Sequence, residues 1–200
     1  MDKKTKTALI VFGVILIIGI ILGIIGSDET ETNTTTNTTQ NSLPEYISQE
    51  ENYYTFNMTI SDFTKKLNEA STYNLTEIKE SDFKYQGDMT AENGVSLKVY
   101  LYEQINPSNG GKNGKGISLQ VAPNGKIAVI RYLSKGGIYT DDVLLQQIIS
   151  VSINKNKDNS INIIKNATDN IEKTNTSSEL HYAYKYYKAN EIPMFELFSK

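Results

Sequence analysis

The feature that most constrains this chain is an uninterrupted apolar segment near its amino end. Residues 8–26 read ALIVFGVILIIGIILGIIG and contain no charged or strongly polar side chain. A helix of this length rises roughly 28 Å, which is close to the hydrocarbon thickness of a bilayer. The segment therefore predicts a single membrane-spanning helix to which the rest of the chain is attached.

The charges that flank this segment predict its orientation. Three lysines precede it within residues 1–7, and three acidic side chains follow it within residues 28–31. The positive-inside tendency places residues 1–7 in the cytoplasm as a basic tail and the carboxyl-terminal part outside the cell membrane. A cleaved signal peptide is the alternative, but the apolar run is longer than usual for one and no A-x-A-like site follows it. The sequence thus favours an uncleaved anchor.

Two glycines of the apolar segment, Gly19 and Gly23, form a G-x-x-x-G pattern. Small residues at this spacing let two membrane helices approach closely, which predicts a homodimer paired through this face. Glycine is also common in membrane helices that do not pair. Both interpretations therefore stay open.

The composition of the rest of the chain predicts a linker followed by one domain, and it excludes several kinds of chemistry. Residues 27–44 are rich in Thr and Asn and predict a flexible linker, whereas residues 45–200 suffice for one domain with its own core. The chain has no cysteine, which excludes disulfides, thiol catalysis and cysteine-ligated metals. Its net charge of -3 argues against a nucleic-acid partner, since such partners call for basic surfaces.

Apolar periodicity predicts an α+β domain in which an antiparallel sheet is covered by helices on one face. Alternation with period two predicts strands at 53–56, 83–89, 95–101, 117–121, 127–133, 180–187 and 193–198. Helical spacing predicts helices at about 60–70, 140–151 and 160–173.

Local signals refine this outline. Thr59 and Asp62 fit a capping box at the start of the first helix, and Thr140 is placed to cap the second. Residues 106–116 include GGKNGKG and predict a glycine-rich loop. This loop is not a phosphate-binding loop, because a strand rather than a helix is predicted after Gly116.

No catalytic, metal-binding or cofactor-binding set is predicted. His181 is the sole histidine, and its position in a tyrosine-rich strand indicates a half-exposed strand residue. Two S-x-x-K matches, Ser81 with Lys84 and Ser152 with Lys155, lack the partner motifs of penicillin-binding enzymes. A partial calcium-loop match at residues 154–165 lacks the turn glycine and the final glutamate.

One strand is unusually rich in tyrosine. Tyr182, Tyr184 and Tyr186 alternate and so share one face, where flat rings with polar tips could stack on sugars or on a protein partner. In that case Tyr184→Ala is expected to leave the melting temperature nearly unchanged. The alternative is that this face closes the core and only the hydroxyls reach solvent.

These observations favour a non-enzymatic extracytoplasmic domain that binds a protein or glycan of the cell envelope. The alternative is an envelope hydrolase or transferase that uses carboxylates such as Glu103, Asp141 or Glu179. A third hypothesis is a structural or assembly subunit that pairs through Gly19 and Gly23.

Overall fold

The computed structural model describes residues 43–70, 77–106, 111–154, 157–176, 180–187 and 192–199. The predicted anchor at 8–26, with Gly19 and Gly23, lies outside these residues, as does nearly all of the predicted linker. Across the described ranges, no helix is long and apolar enough to cross a membrane. The residues from Glu45 onwards form one compact unit.

The described part of this unit contains nine strands, three helices and one 3-10 turn. Their order is β1 (Ile47–Gln49), β2 (Tyr54–Phe56), α1 (Ile60–Glu69), a 3-10 turn (Glu80–Asp82), β3 (Lys84–Thr90), β4 (Ser96–Asn106), β5 (Gly111–Val121), β6 (Ile127–Ser134), α2 (Val143–Ile153), α3 (Lys157–Asp169), β7 (Thr174–Thr176), β8 (Leu180–Tyr187) and β9 (Ile192–Ser199). β1 and β2 pair with each other, and the other strands form one antiparallel sheet in the order β3-β4-β5-β6-β9-β8-β7. The prediction of an α+β domain with an antiparallel sheet is confirmed.

The start of α1 follows its local sequence. The Thr59 side chain accepts a hydrogen bond from the Asp62 N–H at 3.2 Å, and the Asp62 carboxylate accepts one from the Thr59 N–H at 3.0 Å. Met58 and Phe63, on either side of this box, are both buried in the same core. The predicted capping box is confirmed, because its hydrogen bonds join residues only three apart.

Alternation along the strands gives the sheet two different faces. The helices and one face share a single apolar core. Its strand residues include Ile117, Leu119, Ile130, Tyr132, Phe195 and Leu197, and its helical residues include Phe63, Leu67, Leu145, Ile148, Ile149 and Ile164. A smaller cluster, Val95, Leu97, Ala122 and Ala128, lies apart from it.

The glycine-rich stretch is a strand, and the prediction of a loop over 106–116 is wrong for most of its length. β5 begins at Gly111 and pairs with both β4 and β6. A Cβ on Gly116 would lie 3.0 Å from the Tyr102 carbonyl oxygen, and Gly114 has a φ of +71°. These glycines therefore permit close pairing and a left-handed residue within a strand.

Two helix boundaries also differ from prediction. The N-cap of α2 is Asp142 rather than Thr140, and α3 covers Lys157–Asp169 rather than 160–173. Residues after Asp169 instead turn into β7, whose three residues pair with β8. Short strands of this kind depend on their partner, so periodicity within them carries little signal.

Candidate functional site

The structure divides the three tyrosines of β8 into two groups. Tyr182 and Tyr184 are each only 5% exposed and belong to the core beneath the helices, whereas Tyr186 is 43% exposed. Tyr182 also stacks on Phe195, with ring centroids 6.5 Å apart. An open platform of three rings is therefore not present. Because Tyr184 is buried, Tyr184→Ala is expected to leave a cavity and to lower the melting temperature.

Tyr184 supports the exposed ring of Tyr186. The Tyr184 hydroxyl donates to the Tyr186 hydroxyl at 3.2 Å, and the two ring centroids are 5.4 Å apart. The backbone of Ile138 also hydrogen-bonds to the Tyr184 oxygen. Burial, followed by the contact with Tyr186, raises the pKa of Tyr184. Tyr184 thus stays neutral at physiological pH and fixes the orientation of its neighbour.

A second exposed ring, Tyr139, comes from the loop that precedes α2. It is 59% exposed, yet its ring lies against the backbone of Gly137, where a Cβ would be 2.9 Å from the Tyr139 hydroxyl oxygen. Gly137 has a φ of +105°, which side-chain-bearing residues rarely adopt. The preceding residue, Ile138, carries the backbone bond to Tyr184, so Tyr139 is held beside the same tyrosine.

We name Tyr139, Tyr184 and Tyr186 the tyrosine patch. Tyr139 was missed by sequence reasoning because it lies in a loop, where periodicity gives no signal. The local clue was the pair Gly136-Gly137, which Ile138 separates from Tyr139. Exposed tyrosines held in place offer apolar surface and a polar tip with little conformational entropy to lose on binding.

Beside the patch, Asp142 anchors the start of α2 to the sheet. Its Oδ2 accepts hydrogen bonds from the Tyr132 hydroxyl at 2.6 Å and from the Lys115 ammonium at 2.9 Å. Its Oδ1 accepts the Leu145 N–H at 3.2 Å. Burial, and then the neighbouring Asp142 carboxylate, raise the pKa of Tyr132. Both carboxylate oxygens are thus engaged in bonds that hold the loop carrying Tyr139.

A second buried carboxylate lies on the opposite face of the sheet. Glu196 Oε2 accepts a hydrogen bond from Arg131 Nε at 2.8 Å, and Lys185 Nζ is 3.9 Å from Glu196 Oε1. With its side-chain amide flipped, Gln120 presents its amide oxygen to the same guanidinium as an acceptor. Burial acts to raise the pKa of Glu196, but Arg131 and Lys185 outweigh it and hold that pKa below its ordinary value. The chain's sole arginine is therefore committed to a structural ion pair.

The remaining candidates do not come together in the described part of the chain. His181 is half-buried, stacks on Phe198 and shares a hydrogen bond with Thr176. Glu103 is half-buried on β4, Asp141 is exposed before α2, and Glu179 lies outside the described residues.

The two S-x-x-K matches lack the geometry of a serine nucleophile. Lys84 Nζ donates to the main-chain oxygen of Ser81 rather than to its hydroxyl. The Ser152 hydroxyl is buried and donates to the Ile148 carbonyl oxygen at 2.6 Å, and Lys155 lies outside the described residues.

Within the ranges that the structure describes, no group of three or more His, Asp and Glu side chains is arranged to hold a metal ion. Comparison with known proteins adds no assignment, since no protein-family model, curated protein or solved structure matches this chain.

Proposed function

We propose that this chain is a single-pass membrane protein whose extracytoplasmic domain binds a protein or glycan of the cell envelope, without catalysis, through the tyrosine patch. The anchor at residues 8–26 and the linker at residues 27–44 support the tethered arrangement, with the basic amino end in the cytoplasm. The observation that carries the binding role is that Tyr139 and Tyr186 are exposed and yet held in place.

The placement of the patch supports recognition by contact. Tyr186 rests on a buried ring, and Tyr139 rests on a glycine backbone, so neither ring needs to be ordered when a ligand arrives. Sugar rings and extended peptides both present flat apolar surfaces edged by polar groups, which tyrosine accommodates. Ile171, 42% exposed, lies one residue before Glu172, which hydrogen-bonds to β8, and adds apolar surface near the patch.

The alternative of an envelope hydrolase or transferase has weaker support. A general acid or base needs a carboxylate that can reach substrate, and both oxygens of Asp142 already accept internal hydrogen bonds. Asp141, its neighbour, is exposed at the start of α2, where a carboxylate interacts favourably with the helix dipole.

Photo-crosslinking in intact source cells tests the binding role. A photoreactive phenylalanine analogue at position 139 or 186 of the full chain is expected to give a defined adduct. The same analogue at Tyr85, a tyrosine of similar exposure (54%) on β3, is the matched control and should not. In parallel, Tyr139→Ser with Tyr186→Ser should weaken co-sedimentation with insoluble envelope polysaccharide by about tenfold if the ligand is a glycan.

The two arms separate the outcomes. A protein adduct without any change in sedimentation identifies a protein partner, and the reverse identifies a glycan. The absence of both a protein adduct and a change in sedimentation would contradict a binding role for the patch. Adducts at position 85 equal to those at positions 139 and 186 would contradict it as well.

A further inference from the structure

Glu172 adopts a backbone conformation that calls for an explanation. Its φ is +63°, and among the described non-glycine residues only Asn154 shares this left-handed region. Asn154 ends α2 as its C-cap, a position where asparagine is common. A glutamate is disfavoured there, because its Cβ crowds the following carbonyl group.

The contacts of Glu172 supply that explanation. β7 pairs only with residues 181–183 of β8. On that outer edge, residues 184–187 of β8 have no strand partner in the part of the chain that the structure describes. The Glu172 N–H donates to the Tyr184 carbonyl oxygen at 2.8 Å, and Glu172 Oε1 accepts the Tyr186 N–H at 2.6 Å. A single residue thus satisfies two main-chain groups that a neighbouring strand would otherwise bind.

Sheet edges with unsatisfied main-chain groups recruit strands from other molecules. The opposite edge, β3, carries a bulge between Tyr85 and Gly87 and the charged side chains of Lys84 and Asp88, which discourage such pairing. The β8 edge, in contrast, carries aromatic side chains that favour strand pairing.

We infer that Glu172 acts in place of a strand: it closes the outer edge of β8, fixes the main chain of Tyr186 and prevents edge pairing with a second copy of this chain. A second copy is the natural occupant once the edge opens. Antiparallel pairing of identical segments about a two-fold axis is self-complementary, and a shared membrane would bring copies together.

Three variants of the full chain in detergent micelles test this inference. Glu172→Gly relieves the backbone strain but removes the acceptor for Tyr186. Glu172→Gln keeps both the strain and an acceptor oxygen. Asn154→Gly relieves the equivalent strain far from the edge in sequence and is the matched control. Amide hydrogen exchange over residues 182–187 and light scattering across a concentration series are measured for each.

We expect Glu172→Gly to speed exchange of the Tyr186 amide by about tenfold and to increase self-association with concentration. Glu172→Gln and Asn154→Gly should match the unchanged chain in both measurements. Unaltered exchange in Glu172→Gly would overturn the inference. Faster exchange with no gain in self-association would overturn the protective role, as would equal self-association in Asn154→Gly.

Discussion

Adjacent residues of β6 hold two buried carboxylates on opposite faces of one sheet. Arg131 binds Glu196 of the neighbouring strand β9, whereas Tyr132 binds Asp142 at the start of α2. The first contact joins strands that already share main-chain hydrogen bonds. The second joins a helix and its loop to the sheet, where no main-chain ladder exists. Similar chemistry therefore fixes strand register on one face and helix position on the other.

The electrostatic support of the two carboxylates also differs. Glu196 relies on full charges, the guanidinium of Arg131 and the ammonium of Lys185. Asp142 accepts one charged donor and two neutral ones, because Lys115 shares it with the Tyr132 hydroxyl and the Leu145 N–H. Loss of one partner should consequently lower the free energy of unfolding more at Glu196 than at Asp142.

The largest expected effect is that of Arg131→Met. It leaves Glu196 buried with only the more distant Lys185, and breaking a buried pair from one side costs about 3–5 kcal/mol of unfolding free energy. Urea denaturation of the full chain measures the loss. Arg131→Met combined with Glu196→Met is the control and should recover most of it, since neither charge is then stranded. A double variant as unstable as the single one would show that packing, not charge, dominates here.

An intermediate effect is expected for Asp142→Asn. The substitution weakens the N-cap of α2 and the bonds from Tyr132 and Lys115, for a loss of about 2–3 kcal/mol. Asp141→Asn, at the exposed neighbouring position, is the control and should change stability by less than about 0.5 kcal/mol. The same denaturation curves measure both. Equal losses in the two variants would refute an anchoring role specific to Asp142.

The smallest effect is expected for Tyr132→Phe, about 1 kcal/mol at neutral pH, because Asp142 keeps its other two donors. Its pH dependence is more diagnostic. The pKa of Tyr132 is raised above its ordinary value of 10.0, so the folded chain holds the neutral hydroxyl. The contribution of this hydroxyl to the free energy of unfolding is complete below about pH 10. It is lost as the pH rises further, because Tyr132 of the unfolded chain then ionises.

Thermal unfolding between pH 8 and pH 11 checks this prediction. The unchanged chain should lose stability more steeply above about pH 10 than Tyr132→Phe does. If the stability of both chains fell equally with pH, the contact with Asp142 would not raise the pKa of Tyr132 in the folded state.

Much of the fold was predictable where a signal acts over a few residues. The Thr59–Asp62 capping box formed as its sequence predicts, and so did β4, β6 and the alternating part of β5 at residues 117–121. Asn124 and Gly125, a pair typical of hairpin turns, lie between β5 and β6, and the Gly125 N–H donates to the Ala122 carbonyl oxygen at 2.9 Å. Each depends on neighbouring residues or on a period of two, which no distant contact needs to supply.

Prediction failed where a distant partner decides the outcome. The glycines of β5 are strand residues because β4 and β6 flank them, and Asp142 rather than Thr140 caps α2 because its other oxygen meets Tyr132 and Lys115. The candidate site was predictable only in part for the same reason. Tyr186 was identified from the sequence. Tyr139 was not, because it joins the candidate site from a loop, where periodicity gives no signal.

The sequence by itself determined the cysteine-free composition, the class of the domain and the alternation that puts Tyr182, Tyr184 and Tyr186 on one side of β8. It also predicts the anchor at residues 8–26. Only the tertiary structure decided which of those tyrosines meets solvent. Alternation assigns a side chain to a face, but its exposure depends on what packs over that face. The core beneath the helices buries Tyr182 and Tyr184, while Tyr186 remains exposed.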